Sequence, residues 1–125
     1  MAAQEADLRI ERTSAPDAAA VVFRLSGALD LTTVDQLRGL VGPVCAEGGE
    51  VLLDLSALSF CDSTGVGAFV WLHRQATAAG GRLLLAAPRR YVRDVLRISG
   101  VDRAIPVRGR GALNGNSGAV SDPRG

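Results

Sequence analysis

The hydrophobic period of this chain changes repeatedly along its length, and that alternation restricts the folds open to it. Short apolar runs of strand character are followed by stripes at helical spacing, with glycine pairs, prolines and short polar clusters at the changeovers. Leu8 to Thr13 sets Leu8 and Ile10 against Arg9 and Glu11, the alternation of an edge strand. Ser14 to Asp17, with Pro16, supplies a turn, and Ala20 to Leu25 forms a stronger strand through Val21, Val22, Phe23 and Leu25. Thr32 and Thr33 offer helix caps ahead of an amphipathic stripe of Val34, Leu37, Leu40, Val41 and Val44, which Glu47-Gly48-Gly49 stops.

The pattern then repeats. Val51 to Leu55 is a mostly apolar strand of the kind buried on both faces. Asp62 to Thr64 opens a second helix, striped by Ala68, Phe69, Leu72, Ala76 and Ala79 and ended by Gly80-Gly81. Leu83 to Ala86 is a third strand of buried type. Pro88 suits a helix start, Val92, Val95 and Leu96 give its stripe, and Gly100 stops it. Ala104 to Val107 adds a last short strand. The order β-β-α-β-α-β-α-β predicts a single α/β domain, with a mixed sheet of about five strands flanked by three to four helices. Sites in such sheets gather at the carboxyl ends of the strands. The domain is expected over residues 7–107, with a short frayed lead-in at 1–6 and a flexible Gly/Ser/Arg-rich tail at 108–125.

Composition removes several classes of function. Fourteen Lys and Arg against thirteen Asp and Glu leave a net charge of +1, without the basic footprint of a direct nucleic-acid binder. The longest apolar stretch, Gly65 to Leu72, is far short of the ~18 residues a membrane helix needs, so no membrane insertion is expected. Glu5 and Asp7 lie where a secretory leader would be apolar. Cys45 and Cys61 form no C-x-x-C pair, and reduced thiols in a cytoplasmic protein are expected. With His73 the one histidine, no metal site and no cofactor are expected.

The chemistry concentrates in Leu58 to Gly67. There Asp62-Ser63-Thr64 stands at a helix start, whose N–H groups lack partners. Capping by Asp62 or Ser63 accounts for one of the three, at about 1 kcal/mol. It does not account for Gly65 and Gly67, each costing about 1 kcal/mol relative to Ala inside a helix. Either the helix packs tightly on the sheet, or a partner's backbone comes close to this helix start.

A catalytic Ser63 is not supported. A G-x-S-x-G elbow needs glycine at position 61, which is Cys61. His73 lies ten residues further along the same helix, about 15 Å away at helical rise. No Gly-rich phosphate loop with lysine is present. No enzymatic activity is expected. As a phosphate acceptor, by contrast, Ser63 is well placed. Phosphorylation adds about −1.5 to −2 charge, which a helix N-terminus tolerates. A partner surface fitted to Asp62 beside a small hydroxyl would not. A loss of about 100-fold in affinity takes only about 2.8 kcal/mol, within the cost of desolvating an unpaired ion.

Other residues read less sharply. Trp71 falls with Thr64, Gly67 and Arg74, off the core stripe, and suits either a partner anchor or packing on a neighbouring element. His73 reads as a partly buried side chain and Cys61 as a small loop-filling thiol. Arg82, Arg89, Arg90, Arg93 and Arg97 read as a solvated face.

Three segments resemble the STAS domain, and within it the bacterial anti-sigma factor antagonists. Arg24-Leu25-Ser26-Gly27-Ala28-Leu29-Asp30-Leu31-Thr32-Thr33 is similar to that family's Gly-Glu-Leu-Asp-x-x-Thr strand exit. Phe60-Cys61-Asp62-Ser63-Thr64-Gly65-Val66-Gly67 is similar to its Asp-Ser-(Ser or Thr)-Gly-Leu-Gly phosphorylation motif, and Ile98-Ser99-Gly100-Val101 to its late helix end. Ala28 stands where the family commonly has Glu, and Val66 where it has Leu. The resemblance implies that Ser63 is phosphorylated by a partner that is both anti-sigma factor and serine kinase. It implies that the unmodified chain binds this kinase and frees the sigma factor, and that a serine phosphatase reverses the modification. Asp30, Asp62, Ser63, Thr64, Gly65, Gly67 and Trp71 are then the expected partner-binding residues, with Thr64 mainly a cap. The alternative is a STAS accessory subunit of a membrane-transport or lipid-trafficking complex, docked on an ATPase.

Overall fold

A computed structural model describes residues 7–113. The sheet residues are β1 (Leu8–Arg12), β2 (Ala20–Leu29), β3 (Glu50–Cys61), β4 (Arg82–Ala86) and β5 (Val107–Arg108), and the helices are α1 (Val34–Cys45), α2 (Ser63–Ala78) and α3 (Arg90–Ser99). Two single-turn 3-10 helices, Val101–Arg103 and Arg110–Leu113, flank β5. The strands lie in sequence order, β1-β2-β3-β4-β5. β1 runs antiparallel to β2, and β2 to β5 are mutually parallel.

Strands in sequence order, joined by right-handed crossovers, send every crossover helix to the same face of the sheet. Alternation along the strands shows the result. Val51, Leu53 and Leu55 of β3, with Leu83 and Leu85 of β4, enter one core with Leu37 and Val41 of α1, Phe69 and Leu72 of α2, and Val92 and Leu96 of α3. The intervening Leu52, Leu84 and Ala86 form a smaller cluster on the opposite face.

Three expectations change in the structure. The strand read as Val51 to Leu55 is a twelve-residue strand that continues to Cys61, and β2 likewise continues to Leu29. Their pairing survives two register shifts, between Arg24 and Ser26 and between Gly27 and Ala28, at each of which β3 gains one residue on β2. The serines Ser56 and Ser59, which interrupt the apolar run in the sequence, sit at these irregularities; Ser59 Oγ donates to the Gly27 carbonyl at 2.9 Å. Next, Leu40 is 52% exposed rather than part of the α1 stripe, and Ala79 lies beyond the last turn of α2, exposed. Finally, the last strand is not Ala104 to Val107. Residues from Val101 make a 3-10 turn that buries Ile105, and only Val107 and Arg108 pair with Leu85 and Ala86.

Arg108 is thus a sheet residue, although the sequence assigned it to the tail. Ala112 and Leu113 also pack against the Leu52, Leu84 and Ala86 cluster. The expected lead-in at 1–6, and the remainder of the expected tail from 114 on, lie outside the described residues.

Candidate functional site

The ladder between β2 and β3 ends at Leu29 paired with Cys61, both fully buried. Asp30 and Asp62 are the next residues on the two strands, so they leave the carboxyl edge of the sheet side by side. The Asp62 amide still donates to the Leu29 carbonyl, at 3.4 Å.

Asp62 is the N-cap of α2. Its Oδ1 accepts from the Thr64 amide at 2.9 Å and from the Gly65 amide at 3.2 Å, which satisfies two of the four unpaired N–H groups of the first turn. Of the candidates read from the sequence, the cap is therefore Asp62. Thr64 supplies a backbone donor to it and is not itself the capping side chain. Ser63 is the first helical residue and is exposed, and its hydroxyl makes no hydrogen bond among the described residues.

The turn after β2 is held more tightly. Asp30 Oδ1 accepts from the Thr32 amide at 2.9 Å and from the Thr32 hydroxyl at 2.7 Å. The Thr32 hydroxyl, above all, keeps the Asp30 carboxyl below the usual carboxylate range. Thr33 occupies the N-cap position of α1 without capping it. Its hydroxyl turns back instead, donating to the Ala28 carbonyl at 2.9 Å and accepting from the Asp30 amide at 3.0 Å. Asp30 is thereby fixed as an anion on a rigid turn beside Asp62.

The two glycines of the motif have different reasons. A methyl group on Gly65 would meet Cys61 Sγ at 2.7 Å and the Leu29 side chain at 2.9 Å. Tight packing of α2 on the sheet explains this glycine, which is buried. Around Gly67, an added methyl would meet nothing within 4 Å. Four residues on from Ser63, it shares that residue's helix face and is exposed.

Trp71 packs on α1. Its ring lies over Gly42, where a methyl group would meet the ring at 3.0 Å, and the Arg38 guanidinium sits 5.8 Å from the ring centroid. Its outer face leaves it 37% exposed. Cys61 is held as a neutral thiol: burial first, then the Asp62 charge, pushes it up to about 12.

The sequence reading missed the apolar rim of this edge. Leu31, next to Asp30, is 75% exposed. Phe60, two residues before Asp62, stacks with Tyr91 in the first turn of α3, with ring centroids 5.8 Å apart and planes 20° apart. Both rings remain partly exposed. Phe60 sits within the quoted motif, but its exposure depends on the β3 bulges, which no local period reveals.

A buried strand exit, an aspartate cap and an exposed serine at the first helical position thus meet at the carboxyl edge of the sheet. The STAS domain family profile matches residues 9–110, and the chain belongs to that family. A Lysinibacillus sphaericus protein named anti-sigma F factor antagonist is 35% identical over 106 residues, covering 76% of this chain and 90% of the relative. An anti-sigma factor antagonist from Mycobacterium paratuberculosis shares the fold, with a TM-score of 0.75 at 22% identity, covering 93% of this chain and 96% of the other. The antagonist SpoIIAA in its unphosphorylated form aligns with a TM-score of 0.68 at 26% identity, covering 92% of this chain and 99% of its own. The Bacillus cell fate determinant SpoIIAA in the phosphorylated form aligns with a TM-score of 0.59 at 29% identity, covering 80% of this chain and 89% of its own.

Proposed function

We propose that this chain is an anti-sigma factor antagonist of the cytoplasm, switched by phosphorylation of Ser63. With Ser63 unmodified, it binds an anti-sigma factor serine kinase and so frees the sigma factor. The kinase phosphorylates Ser63 and ends the interaction, and a serine phosphatase restores it. The observation that carries this reading is the exposed Ser63 hydroxyl at the first helical position, beside an Asp62 carboxylate already committed to the cap. Relatives named as anti-sigma factor antagonists, one of them known in a phosphorylated form, support it.

The physics of the switch is local. A phosphate on Ser63 adds about −1.5 to −2 charge beside Asp62 and Asp30. The N-terminus of α2 stabilises that anion, so the domain stays folded. A partner surface fitted to a small hydroxyl must instead desolvate the new charge. The partner-facing residues on this reading are Asp30, Asp62, Ser63 and Gly67, with the outer face of Trp71 further along the same helix side. Thr64 and Gly65 act by holding the helix start. On this reading the chain acts as the kinase's substrate, with the Asp62 carboxylate committed to the cap and His73 ten residues further along α2.

The test is a pull-down from host lysate with three baits: the natural chain, Ser63→Ala and Ser63→Glu. Capture of an anti-sigma kinase by Ser63→Ala, strongly reduced with Ser63→Glu, is the expected result. Equal capture of one partner by all three would remove the switch and favour an accessory-subunit role.

A further inference from the structure

The outer edge of the sheet, at β1, carries a sequence complementary to itself. The backbone bonds at the two ends of the β1–β2 ladder set its phase. The Ala28 amide donates to the Asp7 carbonyl at 2.6 Å, and the Thr13 amide to the Val22 carbonyl at 2.8 Å. Along an antiparallel strand, residues alternate between bonding the neighbour and facing away from it. The odd-numbered residues from Asp7 to Thr13 therefore bond β2, and Leu8, Ile10 and Arg12 turn their amides and carbonyls outward. The Leu8 carbonyl accepts from Gln36 Nε2 at 2.9 Å and keeps a second lone pair. Among the described residues, the outward groups of Ile10 and Arg12 meet no hydrogen-bond partner.

The two edges of the sheet differ. β5 is two residues long and is followed by a 3-10 turn, which leaves an incoming strand little to pair with. β1 has five residues, no proline and an unbroken register with β2. Charge is a further way to block an edge, but on β1 the two signs alternate. Arg9 and Glu11 project from the face away from the helices, exposed and without an ion pair among the described residues. Leu8 and Ile10 point to the helix side and pack, half-buried, against the main core.

An antiparallel copy must set outward residues opposite outward residues. Centred on Ile10, it pairs Ile10 with Ile10 and Leu8 with Arg12, and it places Arg9 across from Glu11 on both sides of the centre. Opposite charges in such cross-strand positions stabilise the pair. Sliding the copy by two residues sets Arg9 against Arg9 or Glu11 against Glu11, and sliding it by one puts the outward bonds out of phase. Charge and hydrogen-bond phase thus select the same register. α1 adds apolar surface beside it. Leu40 stands one turn from Gln36, on the side of α1 that Gln36 ties to β1, and is 52% exposed.

We propose that β1 pairs with β1 of a second copy of this chain across a two-fold axis at Ile10, joining two five-stranded sheets into one. The axis brings the two Leu40 side chains toward each other on the helix side of the joined sheet. The interface is small, so the dimer is weak and reversible. Ser63 follows β3, two strands in from this edge, and stays accessible. The proposal therefore stands apart from the phosphorylation reading.

The test is sedimentation velocity of the whole chain from ~1 μM to ~1 mM in ~50 mM salt, joined to amide hydrogen exchange followed by NMR. A monomer–dimer equilibrium with a Kd of about 10–500 μM is expected. Protection of the Ile10 and Arg12 amides is expected to rise with concentration, while the Arg9 and Glu11 amides, bonded to β2, are protected throughout. Arg9→Glu and Glu11→Arg are each expected to weaken self-association by at least about tenfold. An equimolar mixture of the two variants is expected to associate at least as tightly as the natural chain, because each supplies the sign that the other lacks. Leu40→Ser is expected to weaken it by about threefold, and Ser63→Glu by less than about twofold. Should Glu11→Arg, which lies across from Arg24, lose its amide dispersion, Arg9→Glu and Leu40→Ser carry the test. A monomer at every concentration would overturn the proposal, as would a dimer indifferent to Arg9→Glu. So would Ile10 and Arg12 protection independent of concentration, which would give the edge to another segment of the same chain.

Discussion

Cys61 and Gly65 are packed so closely that a methyl group on Gly65 would lie 2.7 Å from the Cys61 sulfur. The end of β3 and the start of α2 are thereby locked as one unit, with Ser63 held between them. Gly65→Ala is expected to destabilise the fold by about 1–2 kcal/mol, overpacking outweighing the gain in helix propensity. Gly67→Ala meets open space and is expected to stabilise by up to about 1 kcal/mol. Urea denaturation of both variants checks this, with opposite signs expected. If the partner's backbone approaches Gly67, that same variant gains stability while losing affinity.

Asp62 caps α2 through one carboxylate oxygen, so its charge and its hydrogen bonds can be separated. Asp62→Ala is expected to cost about 1 kcal/mol of stability, and Asp62→Asn, which keeps an acceptor, only a few tenths. Partner binding measured on the Asn variant then reports the charge alone. Retention of full affinity in Asp62→Asn would leave capping as the sole role of Asp62.

Asp54 faces away from the helices and is 2% exposed. Ser56 donates to its Oδ1 through the hydroxyl at 2.6 Å and the amide at 2.9 Å, and Arg24 Nε lies 3.2 Å from Oδ2. Burial by itself would raise this carboxyl, but the Ser56 hydrogen bonds and the Arg24 charge hold it below the usual range. A lowered folded pKa means stabilisation that is full above the unfolded value, about 3.9, and lost as pH falls through the folded value. Arg24 is half exposed, which reduces the cost of separating the pair, so Asp54→Asn is expected to lose about 1–2 kcal/mol at pH 7. The gap to the natural chain should narrow as pH falls below the unfolded value and through the lowered folded one. Thermal melts of both chains from pH 2 to pH 7 check the slope. A gap that stays constant would mean that packing, not charge, holds Asp54.

Both cysteines are free and buried, with burial pushing Cys45 up to about 11 and Cys61 to about 12. Neither is expected to react with a thiol-specific disulfide reagent at pH 8 in the folded chain, and both should react in urea. Fast labelling of native Cys61 would show that the helix start opens and is not locked.

The sequence by itself determined the order of elements, the parallel crossovers and the stretch that carries the proposed phosphate acceptor. These follow from hydrophobic period and from glycine and proline punctuation, which act within a few residues of chain. What the tertiary structure decided depends on segments far apart in sequence. β3 reaches Cys61 because Ser56 and Ser59 are accommodated by pairing with β2, thirty residues earlier. Two glycines of one motif, a single residue apart, diverge, since only Gly65 faces Leu29 and Cys61. Trp71 lies on Gly42 because α1 and α2 cover the same face of the sheet. Arg93 and Arg108 share a cleft only because a two-residue strand closes beside β4. Local pattern sets which face of an element is apolar. Register, crossing and steric contact set which residues meet across that face, and they arise only when the chain packs on itself.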